Sequence, residues 1–256
     1  MKVIIYTNNG IPWQRRYLDF FIEGFRKHGI RAGFAQRDIY EPCDVAVLFG
    51  PNYWKTVEKK HDNYLMVNRK FIGDVNDNVT IGWNGLNGRG TFCVDEVNPK
   101  RLTRHIFNLE PWREPTMGYT LLLGQYDIGR CGKFTATSEW YAYVKENIEG
   151  QLLFRAWPGQ RPLEVDCHGA RIAVSLNSTV AIETVMLGIP TVVCDEGNPA
   201  WPICARHLGH VRRSDNRLVW LEYLSNCQWH FQQIKNGDFW RQLWPRRGPR
   251  LCDVEL

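Results

Sequence analysis

The sequence lacks the patterns that place a chain in a membrane or in an oxidising compartment. No apolar run approaches the roughly 18 residues that a membrane-spanning helix requires. No apolar segment of the signal-peptide type follows Met1. The eight cysteines include no C-x-x-C pair and show no regular spacing. We therefore expect reduced thiols, no membrane partner and a cytoplasmic location.

Several motifs of metal and phosphate chemistry are also missing. There is no D-x-D triplet, and the seven histidines show no ligand spacing with carboxylates or thiols, so we expect no bound metal. No G-x-x-x-x-G-K-[ST] loop occurs, which argues against a kinase or ATPase of that class. The Gly/Asn-rich segment, residues 72–92, does not follow a first strand, so it is no dinucleotide fingerprint. We expect it to be a functional loop.

The positive charge is concentrated near the C-terminus. The net charge of +5 permits a polyanionic partner without requiring one. Eight arginines lie in the last fifth of the chain: Arg206, Arg212, Arg213, Arg217, Arg241, Arg246, Arg247 and Arg250. Such an end can be a solvated surface or a surface that contacts phosphates.

Strands alternate with a helix in the first part of the chain. Residues 2–6, 44–49 and 64–67 are short apolar runs typical of buried strands. Between the first two, apolar residues recur with helical period from Tyr17 to His28, and Gly29 follows. This alternation predicts a parallel sheet covered on both faces.

The alternation begins again after a proline-rich, charged stretch near residue 113. Strands are expected at 119–123 and 151–155, helices at 139–148 and 163–168, and a strand–helix–strand unit at 171–193. Residues 220–244 have the spacing of two amphipathic helices. We therefore expect two α/β domains, residues 1–113 and 114–256, with the C-terminal helices packing back across their junction.

The strand–helix–strand unit is the most informative part of the chain. Its helix opens on N-S-T, where Asn177 or Ser178 can cap the first turn and free amides can bind a phosphate. Thr179 and Glu183 are four residues apart and share a helix face, so Glu183 is placed to accept hydrogen bonds from a ribose. The alternative is a capped core helix with Glu183 exposed to solvent.

Two further turns are expected at the same edge of the second sheet. In the turn 154–162, Arg155 and Arg161 could clamp a diphosphate, because a guanidinium fork matches paired oxygens. The turn 124–129, with Gln125, follows the first strand of this half. In open α/β sheets ligands bind at this edge. The alternative is a surface turn with solvated arginines.

These motifs carry a resemblance. R-A-W-P, then N-S-T-V-A-I-E and G-I-P-T-V, in the second of two α/β halves, resemble glycosyltransferases of the GT-B architecture. More narrowly, the chain is similar to a family of short phage and prophage proteins of that type. The matching segments are residues 81–92, 122–127, 175–183, 220–229 and 237–240. The resemblance implies an α/β fold with two Rossmann-like halves facing each other across a cleft.

The resemblance also implies roles for particular residues. It places the donor diphosphate at Ser178 and Thr179, the ribose at Glu183, and a basic residue before a proline turn at Arg155. Related sequences have histidine before that proline, where this chain has Trp157. The implied co-substrate is a nucleotide-diphosphate sugar, most simply a UDP-sugar, with no bound cofactor.

The general base is expected in the first half. A carboxylate suits that task, and Asp74 lies in a polar stretch of the Gly/Asn-rich segment. Asp77 and Asp19 are the alternatives.

The leading hypothesis is a metal-independent glycosyltransferase, with a hydroxymethylated pyrimidine in double-stranded phage DNA as acceptor. Arg89, Arg246 and Arg247 would contact the DNA backbone. A glycan or lipid-linked acceptor, a sugar-nucleotide epimerase, and a nucleotide- or DNA-binding module without turnover remain open. The sequence leaves the sugar and base of the donor, the stereochemistry and the oligomeric state undetermined.

Overall fold

The structure is a computed structural model, and its description covers most of the chain. The described residues are 1–8, 11–36, 39–50, 60–74, 76–104, 108–114, 118–125, 133–244 and 248–255. None of the helices in these ranges combines the length and the apolar character that crossing a bilayer demands. The chain divides into two compact units: unit 1 is Met1–His105 with Glu222–Leu251, and unit 2 is Ile106–Leu221 with Cys252–Leu256.

Unit 1 is built on a six-stranded sheet, called sheet 1, in the order β10-β5-β4-β3-β1-β2. Its strands are β1 (Lys2–Thr7), β2 (Arg31–Gln36), β3 (Val45–Phe49), β4 (Tyr64–Arg69), β5 (Asn78–Trp83) and β10 (Gln228–His230). Its complete helices are α1 (Pro12–Arg26), α6 (Phe231–Lys235) and α7 (Asp238–Leu243). β2, β1, β3 and β4 are parallel, whereas β5 runs antiparallel to β4 and β10 antiparallel to β5.

Unit 2 contains a four-stranded, fully parallel sheet, called sheet 2, in the order β7-β6-β8-β9. Its strands are β6 (Tyr119–Leu123), β7 (Leu152–Arg155), β8 (Ala170–Ser175) and β9 (Thr191–Val193). Its helices are α2 (Thr137–Asn147), α3 (Leu163–Cys167) and α4 (Val180–Met186). A further helix, α5 (Arg217–Asn226), contains the point at which the chain passes from unit 2 back to unit 1.

The predicted domain division differs from these units. The chain first changes units at residues 105 and 106, close to the expected boundary at 113, but residues 222–251 belong to unit 1 and not to the second domain. Aromatic packing explains why residues 222–251 return to unit 1. The ring of Phe239 lies 5.1 Å from that of Phe21, and the ring of Trp240 lies 5.1 Å from that of Phe25, so α7 covers the buried face of α1.

Two strands of sheet 1 lie where the sequence predicted other structure. β5 lies within the Gly/Asn-rich segment that we expected to be a loop, and all six of its residues are buried. β10 interrupts the expected helices of residues 220–244. The buried side chain of Gln228 explains this, because its Oε1 accepts hydrogen bonds from the amides of Phe71 and Ile72, at 2.9 and 3.1 Å. These long-range bonds outweigh the local helical pattern.

Gly24 is required where α1 and α6 meet. A Cβ atom added to Gly24 would overlap the carbonyl oxygen of Ile234, which belongs to the backbone of α6 and cannot rotate away. The same Cβ would lie 3.2 Å from the ring of Phe239. The absence of a side chain therefore sets the approach of the C-terminal helices to α1.

We expect Gly24→Ala to destabilise the protein by about 1–3 kcal/mol, because the added methyl group forces the two helices apart. Urea unfolding, followed by tryptophan fluorescence, measures the effect. Gly33→Ala is the matched control, since its Cβ would meet only the flexible end of Ile4, at 3.3 Å. Equal stability of the Gly24 variant and the native chain would contradict this account of the packing.

Candidate functional site

The parallel strands of sheet 2 bring four turns to one edge. Gln125 follows β6, Arg155 ends β7, Asn177 follows β8 and Asp195 follows β9. Because all four strands point the same way, these residues lie at the carboxyl edge of the sheet, as the sequence predicted for the first three. Ligands of open α/β sheets bind at this edge.

The strand order defines a switch point within that edge. From β6 the chain passes to β7 on one side, and from β7 it crosses to β8 on the other side of β6. The turns after β6 and β8 thus leave in opposite directions and open a crevice between them. Gln125 Oε1 accepts a hydrogen bond of 2.8 Å from the amide of Asn177, which ties the two turns together.

The turn after β8 presents backbone amides at this crevice. α4 begins at Val180, and the Ser178 Oγ accepts a hydrogen bond of 3.3 Å from the Val180 amide, so Ser178 caps the first turn in part. The side chain of Thr179 makes no capping bond. The amides of Ser178 and Thr179 donate to no described residue, so both are available to an anion.

Two residues that the sequence did not single out hold this turn in shape. The fully buried Asn198 donates from Nδ2 to Ser175 Oγ, Leu176 O and Ser178 O at 3.2–3.3 Å. The buried Asp195 accepts from Asn177 Nδ2 at 2.9 Å. The Nδ2 atom of Asn177 is thus engaged by Asp195, and of the two expected caps it is Ser178 that bonds to an amide of the first turn. Only the run D-E-G-N-P, typical of a turn, marks these residues in the sequence.

Glu183 lies one turn into α4, and its side chain is exposed to solvent. Its carboxylate has no hydrogen-bond or ion-pair partner in the described part of the chain. Thr179 and Glu183 are four residues apart, so the carboxylate lies on the helix face that begins at the free amides. The group can thus accept hydrogen bonds from hydroxyls of a ligand bound at the turn.

The arginines of the β7 turn are arranged differently from the predicted clamp. Arg155 pairs with the buried carboxylate of Asp166 and donates to Arg161 O at 2.9 Å. The Arg161 Nε contacts the other oxygen of Asp166. Arg155 is thus held by the protein, whereas the side chain of Arg161 is 55% exposed and its terminal nitrogens have no partner among the described residues. Arg161 is the more exposed of the two guanidiniums, and both stay predicted ligands of a diphosphate.

Burial keeps two thiols of unit 2 protonated. Burial raises the pKa of Cys167, next to Asp166, to about 12. Burial also raises the pKa of Cys194, which directly follows β9. Neither thiol is therefore a thiolate nucleophile at neutral pH. Within the described ranges, no group of three or more His, Cys, Asp or Glu side chains is placed to hold a metal ion.

Asp74 lies at the carboxyl edge of sheet 1, in the connection from β4 to β5. Its side chain is exposed, and Oδ1 accepts a hydrogen bond of 2.7 Å from the Asn76 amide, which forms a local turn. The end of the connection next to β5 is held by two hydrogen bonds, because Tyr17 Oη donates to Asn76 O at 3.3 Å and the Phe231 amide donates to Asp77 O at 3.0 Å. Asp77 is partly buried in the same connection, whereas Asp19 is exposed on α1.

Arg89 lies in a different part of unit 1 from Asp74. It follows the carboxyl end of β5, a strand about 17 Å long. Its turn packs over the sheet at Gly82, which has no side chain to block the approach. Asp74 and the glycine-rich turn at residues 85–90 therefore lie at opposite ends of β5. Arg246 and Arg247, the other predicted DNA contacts, lie outside the described residues, as do residues 126–129 of the β6 turn.

These two doubly wound sheets define the class of the fold. The chain is an α/β protein with two Rossmann-like units, as the sequence predicted. Its sequence matches no protein-family model and no curated protein.

The solved structures that resemble the chain include two of KpsC. The first, described as Thermosulfurimonas dismutans KpsC, beta Kdo 2,7 transferase, aligns with 92% of this chain and 97% of its own, with a TM-score of 0.53 and 12% identity. The second, Thermosulfurimonas dismutans KpsC, beta Kdo 2,4 transferase, covers 89% and 90%, with a TM-score of 0.46 and 13% identity. The second likeness is too weak to support a conclusion. The first shows a shared fold.

We expect Asn198→Ala to destabilise unit 2 by about 1–3 kcal/mol, because three oxygens of the β8 turn lose their buried donor. Amides of residues 175–179 should also exchange faster with solvent, which hydrogen–deuterium exchange measures. Asn147→Ala is the control, since its bond to Tyr143 O lies on the surface. Unchanged exchange in the Asn198 variant would show that this side chain does not hold the turn.

Proposed function

We propose that the protein is a glycosyltransferase that moves a sugar from a nucleotide-activated donor to a hydroxyl group. The observation that carries this proposal is the crevice of sheet 2, with the free amides of Ser178 and Thr179 at the switch point and the free carboxylate of Glu183 one turn further. The fold shared with a Kdo transferase over 92% of the chain supports it.

The donor would bind to unit 2. Its phosphate accepts hydrogen bonds from the amides of Ser178 and Thr179, where the helix dipole favours negative charge. Glu183 accepts hydrogen bonds from the ribose hydroxyls. Arg161 supplies positive charge to the phosphates, and Arg155 supports it through Asp166.

The acceptor would be activated by unit 1. The acceptor oxygen bonds to the anomeric carbon of the sugar, the bond from that carbon to the phosphate oxygen breaks, and the nucleotide departs with the electron pair. Asp74 takes the proton of the acceptor hydroxyl. Amides and arginine stabilise the charge that develops on the leaving phosphate. This arrangement needs no metal, and metal independence is part of the proposal.

For the acceptor we favour a glycan hydroxyl over hydroxymethylated DNA. The DNA hypothesis assigned the base to Asp74 and a DNA contact to Arg89, and these residues lie beyond opposite ends of β5. A solved structure that shares the fold is described as a beta Kdo 2,7 transferase. DNA that contains hydroxymethylpyrimidines remains the comparison substrate.

The direct test incubates the full chain with nucleotide mono- and diphosphate sugars and with neutral oligosaccharides, acidic oligosaccharides or hydroxymethylated DNA. Mass spectrometry of the acceptor detects an added sugar. Transfer to any of the saccharides supports the proposal. Transfer to DNA alone would support the hydroxymethylated pyrimidine as acceptor instead of a glycan. Epimerised or hydrolysed donor without transfer would identify a different reaction and overturn the proposal.

We expect Glu183→Gln to weaken nucleotide binding about tenfold, equivalent to ~1.4 kcal/mol, because the charged acceptor for the ribose is lost. Titration calorimetry with the best nucleotide measures this change. Glu146→Gln, on the exposed surface of α2, is the control and should bind like the native chain. Unaltered affinity in the Glu183 variant would remove this residue from the donor site.

We expect Asp74→Asn to lower kcat by about 10²–10⁴-fold, because the acceptor hydroxyl loses its base. Nucleotide affinity should not change, and the amide oxygen can still accept the Asn76 bond, so the turn is preserved. Asp19→Asn and Asp77→Asn are the parallel variants. A loss of activity confined to either of them would assign the base to that residue instead.

A further inference from the structure

Two arginines of unit 1 lie on aromatic rings close to the connection that carries Asp74. The guanidinium carbon of Arg16 is 5.5 Å from the ring centre of Phe231, and that of Arg69 is 5.8 Å from the ring centre of Trp13. Arg16 and Trp13 are three residues apart on α1 and therefore share a face of the helix. Arg69 ends β4 and Arg16 lies in the first turns of α1, which follows β1, so both guanidiniums lie at the carboxyl edge of sheet 1.

Neither guanidinium is neutralised by a direct ion pair. Both side chains belong to exposed residues, and within the described ranges no carboxylate lies within 4.0 Å of either group. The rings hold the arginine stems by apolar and cation–π contact and use none of the N–H donors. Each fork thus keeps its donors for a ligand anion.

Charged groups of both signs surround the hydroxyl of Tyr17 at this edge. Burial raises the pKa of Tyr17, Arg16 opposes the rise, and Asp77 and Asp74 add to it. Arg16 and the proposed catalytic carboxylate of Asp74 therefore both lie near the hydroxyl of Tyr17. A substrate bound by the arginines would have its nearby hydroxyls close to Asp74.

The aromatic rings are not open platforms for bases. Besides carrying arginines, Phe231 is stacked on Phe20 with ring centres 5.4 Å apart, and Trp13 packs edge-on against Phe49 at 5.5 Å. Single-stranded nucleic acids bind largely by stacking bases on free aromatic faces. The arrangement suits recognition of an anionic group more than recognition of a base.

We infer that Arg16 and Arg69 form an anion subsite for the acceptor, and that the acceptor is a glycan with a carboxylate or phosphate group near its reactive hydroxyl. The inference rests on the proposed function and specifies its acceptor. A bidentate pair between guanidinium and carboxylate fixes orientation as well as charge. The subsite would hold the hydroxyl toward Asp74.

The test measures binding of trigalacturonate, neutral maltotriose and a short single-stranded DNA to the full chain by titration calorimetry. In the Arg16→Gln/Arg69→Gln double variant we expect trigalacturonate to bind at least about tenfold more weakly, as for lost charge-assisted bonds. Maltotriose should bind far more weakly than trigalacturonate to the native chain. Arg31→Gln is the matched control, because this exposed arginine begins β2 at the opposite edge.

Nucleotide binding by unit 2 is measured in every variant and should be unchanged, which shows that each variant is folded. Equal binding of trigalacturonate and maltotriose to the native chain, or an unaffected double variant, would overturn the anion subsite. Tighter binding of DNA with the same arginine dependence would replace the glycan by a nucleic acid. Absence of nucleotide binding in the native chain would instead contradict the proposed function, with the anion subsite still measurable.

Discussion

The parallel pairing of β6 with both β7 and β8 is the constraint on which the candidate donor site depends. It brings the ends of the strands to one edge and makes the turns after β6 and β8 diverge. The bond between Gln125 and Asn177 then joins these turns, and Asn198 and Asp195 hold the backbone beneath them. Because these side chains supply the turn's internal bonds, other amides of the same turn are left for a ligand.

The two units use their charged residues in different ways. In unit 2, Arg155 forms an ion pair with the buried Asp166, whose other carboxylate oxygen contacts the exposed Arg161. In unit 1, Arg16 lies on an aromatic ring and keeps its donors free. An arginine that is ion-paired with a buried carboxylate stabilises the local fold. An arginine that is held only by apolar contact keeps its N–H donors for a substrate. This difference underlies the proposed division between donor and acceptor binding.

Much of the secondary structure could be predicted from local patterns. β6 has the predicted bounds, and β1, β3 and β4 lie within two residues of theirs, because buried parallel strands are short continuous apolar runs. The errors fall where distant contacts decide. β5 lies in a segment whose glycines and asparagines resemble a loop, and β10 exists because Gln228 bonds to the backbone of a residue more than 150 positions away. Patterns within a short window cannot contain such contacts.

The sequence by itself determined the α/β class, the order of strands and helices in unit 2, and the cap of α4 at Ser178, because apolar periodicity and turn chemistry are local properties. Only the tertiary structure decided which polar groups stay free. Asp166 pairs with Arg155, and Asp195 accepts from Asn177, while the carboxylate of Glu183 has no partner among the described residues. The physical reason is that a side chain's availability depends on the partners that folding brings to it, and those partners come from other parts of the chain.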